Sequence, residues 1–249
     1  KNKIYFLAKN KKNFDISKKI NFKNIDKYKN VRIIINLAAI TNVDFCENNL
    51  KKSLMVHAQG VKNLVILSNK LNATLIHIST DYVFNGNSIK PYTEKDSTNP
   101  INNYGYSKLE SEKIIISQCN KFYIIRTSWV FSNYKNNFLS FVRNSVRLND
   151  EINLIADQFG NPTSTNSLSF VLLKFINLIN SDNNNIYGIY NFCNFPKTNW
   201  YKFGKFYIKN NLNSNIQINK ITENDLNLSA KRPKFTSLNI SKLNKYLQI

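Results

Sequence analysis

The chain has 249 residues, of which 42% are hydrophobic, and a formal net charge of +20 at pH 7, a size that suits one large domain or two small ones. It has no apolar run of the roughly 18 residues that span a membrane and no recognisable signal peptide. Its three scattered cysteines are typical of reduced thiols in the cytoplasm. Together with only two histidines, these cysteines do not predict a metal site. The lysine excess is spread along the chain together with many Asn, Ile, Phe and Tyr residues, which indicates a solvated basic surface more than a specific nucleic-acid site.

Strands and helices are predicted to alternate from the start of the chain. Residues 4–8 form an apolar run that predicts a strand, and residues 17–29 predict a polar helical segment. The β-branched run 31–37 is typical of a strand buried on both faces. Apolar positions with helical spacing predict a helix ending near Leu71, and residues 74–78 predict the next strand.

The alternation continues after a loop rich in Gly and Pro, where a helix is predicted to begin at Asn102 or Asn103. The later predicted elements are a strand at 122–127, a helix at 138–148, a strand at 151–155, helices at 168–179 and 200–208, strands at 186–192 and 216–218, and a last helix from 241. Such alternation predicts an α/β fold, an open and largely parallel sheet with helices on both faces.

Small and polar residues follow three of the predicted strands. These segments are Ala38-Ala39, Ser79-Thr80-Asp81 and Thr127-Ser128-Trp129. Because the carboxyl ends of parallel strands meet at one edge of a sheet, the three segments are expected to converge on one binding crevice.

Tyr104 and Lys108 lie four residues apart on a predicted helix and therefore share one face. A nearby ammonium favours the phenolate and is expected to ease proton exchange. The Thr80 hydroxyl would hold a carbonyl oxygen while negative charge develops on it, and the hydride would come from a nicotinamide. A Tyr-x-x-x-Lys pattern alone also fits an ordinary surface helix in a lysine-rich chain.

Longer motifs surround this pattern. The main ones are HISTDYVFNG at 77–86, PYTEKD at 91–96, PINNYGYSKLESE at 100–112 and RTSWV at 126–130; others lie at 36–44, 136–138, 157–163, 188–190 and 230–233. With these motifs the chain resembles the dTDP-4-dehydrorhamnose reductases of the extended short-chain dehydrogenase/reductase family. The resemblance implies NADPH- or NADH-dependent reduction of the C4 ketone of dTDP-4-dehydro-L-rhamnose to dTDP-L-rhamnose.

The resemblance also implies a Rossmann-like, doubly wound sheet, with residues 1–130 binding the dinucleotide and 131–249 mainly the substrate, some of these later elements returning to the sheet. It implies roles for individual residues as follows: Thr80, Tyr104 and Lys108 in catalysis; Thr80, Asp81 and Trp129 at the nucleotide-sugar; and Asp15, Ile16, Ala38, Ala39, Ile40, Thr41, Tyr104 and Lys108 at the cofactor. It leaves the choice between monomer and homodimer open.

The chain departs from the family pattern at its beginning and its end. Related proteins open with a strand and a Gly-x-x-Gly-x-x-Gly turn that receives the pyrophosphate, whereas this sequence starts at what corresponds to the second strand and stops short of the usual last helix. An incomplete sequence of an active enzyme is favoured over a degenerate copy, because the catalytic trio is intact. Lys9 or Asn10 occupies the position of the acidic residue that holds the ribose of NAD, which favours NADPH without deciding it.

Two other functions compete with the reductase. One is a non-catalytic dinucleotide- or partner-binding regulatory protein on the same fold, like the regulatory subunit of methionine adenosyltransferase. The unbroken set of Thr80, Tyr104, Lys108 and Trp129 argues against it. The other is nucleic-acid binding through the lysines, which would show a steep dependence on salt.

Overall fold

A parallel sheet forms the centre of the computed structural model, which describes residues 9–19, 22–134, 137–181, 186–194 and 196–249. The strands of the sheet are β1 (Ile33–Asn36), β2 (Thr74–Thr80), β3 (Phe122–Thr127) and β8 (Gly188–Asn191). They lie in the order β1-β2-β3-β8, and all neighbouring pairs are parallel. The strand predicted at 4–8 lies outside the described residues.

The helices from residue 60 onwards begin or end close to their predicted positions, whereas the two short helices before residue 55 were not predicted separately. They are α1 (Val43–Asn48), α2 (Leu50–Leu54), α3 (Gly60–Leu71), α4 (Asn103–Gln118), α5 (Phe138–Leu148), α6 (Thr165–Asn180), α7 (Trp200–Tyr207) and α8 (Ser241–Leu247). A π-helical turn, Met55–Gln59, joins α2 to α3. The helix predicted over 17–29 is instead a 3-10 helix at Phe22–Tyr28.

Two apolar clusters cover the two faces of the sheet. Alternate residues of β2 point to opposite sides, so Leu75 packs with Val65 and Ile115 from α3 and α4, whereas Ile76 packs with Phe175 from α6. Fully burying a side chain of this size stabilises the fold by about 1.5–3 kcal/mol. The predicted arrangement of helices on both faces of a largely parallel sheet is therefore confirmed.

The strand predicted at 151–155 forms, but it does not join the central sheet. As β5 (Glu151–Ile155) it pairs in parallel with β10 (Gln217–Ile221) in a separate two-stranded sheet. Its residues alternate between buried and exposed, which suits a sheet covered on one face, whereas β3 is buried almost throughout. The other short strands are β4 (Val130–Phe131) with β7 (Thr163–Ser164), and β6 (Phe159–Gly160) with β9 (Thr198–Asn199).

Strand β8 belongs to the second half of the chain, yet it pairs with β3 in the central sheet. The division of the chain near residue 130 stays a prediction. No helix among the described residues is long and apolar enough to cross a membrane.

Candidate active site

The carboxyl ends of three strands meet at one edge of the central sheet. Strand β1 ends at Asn36, beside His77 of β2, and β2 ends at Thr80, beside Thr127 of β3. The predicted convergence of the segments that follow these strands is thus built into the register.

Helix α4 lies very close to the segment that follows β2. Asn102 caps the helix by accepting a hydrogen bond from the N–H of Gly105, at 2.8 Å. A side chain at Gly105 would collide with the carbonyl oxygen of Tyr82, so glycine is required for this close approach. The contact brings Tyr104, the residue before Gly105, up to the end of β2.

Tyr104 is half-buried, and its phenol lies beside Thr80 at the end of β2. Burial raises the pKa of the Tyr104 phenol well above its usual value, and the effect of the Thr80 side chain opposes that shift only in part. Lys108 is not among the groups that shift this pKa, so the expectation that it would favour the phenolate stays a prediction. At neutral pH Tyr104 is protonated, which is the form that can donate a proton.

Lys108 turns from the same helix towards β2 and is 2% exposed. Its Nζ donates a hydrogen bond to the Ile78 carbonyl oxygen at 2.7 Å and lies 3.2 Å from His77 Nε2. Burial lowers the pKa of Lys108 to about 8, although the charge of Glu112 acts in the opposite direction. An ammonium held at such a cost in a crevice is typical of a functional group.

His77, which sequence reasoning passed over, connects Lys108 to the segment after β1. Asn36 Oδ1 accepts the Ala38 N–H at 3.0 Å, so the Asn36 amide nitrogen faces His77 Nδ1, 2.9 Å away, and donates to it. The imidazole proton is then on Nε2, 3.1 Å from Ser111 Oγ. The signal available in the sequence was a lone histidine inside the apolar run 74–78.

The segment from Ala38 to Thr41 forms a wall of the crevice, and apart from Ile40 its side chains are small. Ala38 and Thr41 are exposed, and Ala39 and Ile40 are half-buried. Small exposed residues leave the backbone open to a flat ring, and Lys108 retains ammonium hydrogens beyond the one given to Ile78, as ribose hydroxyls require. These residues fit a nicotinamide dinucleotide.

Asp15 and Ile16 have clear structural partners. The Asp15 carboxylate accepts hydrogen bonds from the backbone N–H and the hydroxyl of Ser17, at 3.0 and 2.6 Å. Ile16 is buried in the core, and Asn63 donates to its carbonyl oxygen at 2.7 Å. The predicted contact of these two residues with the cofactor stays a prediction.

Asp81 is buried directly beside Thr80 at the end of β2. Thr80 Oγ1 donates to Asp81 Oδ1 at 3.1 Å. Burial raises the pKa of the Asp81 carboxyl to about 7, against the effect of hydrogen bonds from Thr236 and Thr80. The buried Asp81 carboxyl therefore takes up a proton more easily than an exposed carboxyl does.

Trp129 follows β3 in a left-handed conformation, with φ of 45°. Its ring stacks on Trp200 with centroids 3.6 Å apart, and a Cβ at Gly160 would lie 2.8 Å from its indole. Trp200 also lines a cavity of about 500 Å³ together with Phe138 and Leu226. Trp200 was missed from the sequence, since only the folded chain brings the two indoles together.

A buried ion pair, which was not predicted from the sequence, fixes α4 to the sheet. Glu112 and Arg126 are 0% and 3% exposed, and Arg126 Nη2 lies 2.6 Å from Glu112 Oε2. Arg126 Nε donates to Glu112 Oε1 at 3.0 Å, and the Ser79 hydroxyl donates to the same oxygen. This pair holds α4 against β2 and β3 one turn beyond Lys108. No group of three or more His, Cys, Asp or Glu side chains within the described ranges is arranged to hold a metal ion.

Comparisons with known proteins agree on one family. The model of the family described as "RmlD substrate binding domain" matches residues 1–249. The dTDP-4-dehydrorhamnose reductase of Aggregatibacter actinomycetemcomitans is 34% identical over 227 residues, which are 89% of this chain and 77% of that protein. The reductase of Sinorhizobium fredii is 35% identical over 215 residues, 85% of this chain and 73% of that protein.

Solved structures give the same result. A dTDP-4-dehydrorhamnose reductase from Clostridium acetobutylicum has a TM-score of 0.85 at 33% identity, covering 94% of this chain and 81% of that one. The reductase of Bacillus anthracis, solved in complex with NADP, has a TM-score of 0.84 at 31% identity, covering 95% of this chain and 82% of that one.

Proposed function

The chain belongs to the dTDP-4-dehydrorhamnose reductase family, and we propose that it reduces the C4 ketone of dTDP-4-dehydro-L-rhamnose to dTDP-L-rhamnose with NADPH or NADH. The observation that carries the proposal is the close approach of α4 to the segment after β2, which places Tyr104 beside Thr80, with Lys108 one helical turn away. A protonated phenol, an orienting hydroxyl and an ammonium are the groups that ketone reduction needs from a protein.

In the proposed reaction a bound nicotinamide supplies the hydride to the ketone carbon. Tyr104 donates its phenolic proton to the ketone oxygen, which would otherwise become an alkoxide. Because burial keeps this phenol protonated at neutral pH, the proton is already on Tyr104 when the substrate binds. When the ketone binds, the Thr80 hydroxyl would turn from Asp81 to donate to the same oxygen, and would so orient the carbonyl.

Lys108 is assigned to the ribose hydroxyls of the cofactor rather than to lowering the pKa of Tyr104. Its Nζ is fixed by Ile78 and has hydrogens left to donate. Ala38, Ala39, Ile40 and Thr41 would form the wall on which the dinucleotide lies. Asp15 and Ile16 would flank it.

NADPH is the proposed preference. Lys9 and Asn10 are both exposed, and neither carries the negative charge that would repel a 2′-phosphate. The related reductase of Bacillus anthracis was solved in complex with NADP.

Asp81 and Trp129 are assigned to the nucleotide-sugar, and residues 131–249 to most of the remaining substrate contacts. Trp129 is held rigidly by Trp200 and Gly160, so its indole edge can act as a fixed wall for the sugar. Asp81 lies next to Thr80 and would accept hydrogen bonds from sugar hydroxyls.

The test is oxidation of NADPH by the purified full-length protein in the presence and absence of dTDP-4-dehydro-L-rhamnose, with the product identified by mass spectrometry and NMR. We expect oxidation that depends on the sugar nucleotide and yields dTDP-L-rhamnose. Sugar-independent oxidation, or none, would reject the assignment.

A further inference from the structure

His57 lies at the centre of an unusual backbone feature. It is the middle residue of the π-helical turn Met55–Gln59 between α2 and α3, and it is 1% exposed. Single π-helical turns inside helices are rare and occur frequently at functional sites. The turn directs the imidazole towards the interior, between the segment after β1 and helix α4.

Both ring nitrogens of His57 have partners, and together these fix where the proton is. The Ile40 N–H donates to His57 Nε2 at 2.9 Å. A backbone N–H can only donate, so Nε2 carries no proton and Nδ1 carries it. His57 Nδ1 therefore donates to Ser107 Oγ, 2.8 Å away, and Ser107 donates to the Tyr104 carbonyl oxygen at 2.9 Å.

This chain of three hydrogen bonds joins the proposed cofactor wall to the proposed proton donor. It runs in one direction, from Ile40 through His57 and Ser107 to Tyr104. The imidazole also meets the Tyr104 ring edge to face, with centroids 5.9 Å apart. Only a neutral imidazole can accept from Ile40. Burial and then the charge of Lys108 lower the pKa of His57 to about 3, so the ring is neutral under working conditions.

We propose that His57 is a positioning residue that sets the distance between the 38–41 wall and Tyr104, and thereby the alignment of a bound nicotinamide with the phenol. The inference rests on the proposed function for its catalytic consequence, but not for the hydrogen bonds themselves. Displacement of reacting groups by about 1 Å can lower a rate by about 100-fold, so a tie of this kind affects the turnover number more than binding.

A purely structural role makes a different prediction. If His57 only fills space, leucine of similar size should replace it without a change in the turnover number. If it positions the wall, leucine should fail, whereas glutamine should restore function, because one amide offers both an acceptor for Ile40 and a donor for Ser107.

The experiment compares His57→Leu, His57→Gln and Ser107→Ala in the full-length protein, with Val65→Ala as the matched control. Val65 is buried in α3 and outside the hydrogen-bonded chain, so its truncation reports general destabilisation. We expect about 10- to 100-fold lower kcat for His57→Leu, with KM for the sugar nucleotide nearly unchanged. Ser107→Ala should show a smaller loss, His57→Gln recovery to within about threefold, and Val65→Ala wild-type kcat.

Amide hydrogen exchange of Ile40 gives a readout that does not depend on activity. His57→Leu should speed this exchange at least about tenfold, and His57→Gln should restore protection. Unchanged exchange in His57→Leu, or an equal loss of kcat in Val65→Ala, would overturn the positioning role. If His57→Leu does not fold, kcat and the exchange of the Ile40 amide are compared in Ser107→Ala and His57→Gln instead. Absence of turnover in the wild-type protein would reject the proposed function, and the exchange of the Ile40 amide would then test the positioning role of His57 by itself.

Discussion

Helix α4 carries two buried charged side chains one turn apart, Lys108 and Glu112, which differ in the charge of the groups around them. Glu112 is met by Arg126 through a double hydrogen bond and by the Ser79 hydroxyl. Lys108 donates to the neutral Ile78 carbonyl and lies beside a neutral histidine that does not accept from it, and its pKa falls to about 8. The charge of Glu112 is therefore neutralised by Arg126, whereas the charge of Lys108 lies beside neutral groups.

The difference separates what holds this helix from what the helix does. A compensated pair such as Glu112–Arg126 fixes α4 on the sheet, and its loss leaves a buried charge without a counterion. An uncompensated ammonium is costly to the fold and is available to a ligand. Stability should therefore depend on Arg126 and activity on Lys108.

The largest expected effect is that of Arg126→Met on stability. The variant leaves Glu112 buried and unpaired, which should lower the free energy of unfolding by about 3–5 kcal/mol. Urea denaturation at neutral pH measures it. The double variant Arg126→Met/Glu112→Leu should regain most of the loss, and a single variant as stable as wild type would show that the pair does not hold the helix.

Replacing Lys108 by methionine should lower activity without lowering stability. The apolar side chain removes the cost of burying an ammonium, so stability at neutral pH should be equal or higher, while kcat/KM for NADPH falls about 100- to 1000-fold. Lys113→Met is the control, because Lys113 is on the same helix, is exposed, and pairs with Glu110 at the surface. A Lys108→Met enzyme with normal kcat/KM would contradict the assignment.

The pH dependence follows from the lowered pKa of Lys108. Above about pH 8 the folded protein loses this charge, so kcat/KM for NADPH should fall about tenfold per pH unit. The folded state then binds fewer protons than the unfolded state, whose lysine keeps its proton to about 10.5, so stability should rise across that same window. Kinetics and urea denaturation at several pH values measure these two trends. Lys108→Arg should make kcat/KM for NADPH nearly independent of pH, since arginine stays charged. A flat wild-type profile would contradict the account.

A smaller effect is expected at Asp81, a buried carboxyl with weak compensation. Because its pKa is raised to about 7 from 3.8, the folded state binds more protons than the unfolded state between these values, and stability falls as pH rises through them. Asp81→Asn should remove this loss and be more stable than wild type by about 1 kcal/mol at pH 8, though not at pH 4. Thermal denaturation at both pH values measures it, and equal destabilisation at both would contradict the interpretation.

Local signals in the sequence predicted the elements that position the site. The asparagine cap fixed the start of α4, and the spacing of Tyr104 and Lys108 fixed their common face. The strand ends at Thr80 and Thr127 were visible as polar residues after apolar runs. These features depend on neighbours within a few residues.

What could not be predicted depends on partners distant in the sequence. Strand β5 pairs with β10 rather than with the central sheet, and periodicity alone does not choose a partner strand. The pKa of Tyr104 is set by burial, which spacing does not reveal. Likewise, the hydrogen bonds of His57 and His77 join segments that only the folded chain brings together.

The most direct test of the central claim compares Tyr104→Phe with wild type in the full-length protein, using single-turnover kinetics with NADPH and dTDP-4-dehydro-L-rhamnose and calorimetric binding of dTDP-L-rhamnose. The variant removes one hydroxyl and leaves the ring contacts with Tyr82 and His57. We expect reduction to slow by about 100- to 10,000-fold while the sugar nucleotide binds with nearly wild-type affinity. Wild-type turnover in Tyr104→Phe would place the proton donor elsewhere and contradict the proposal.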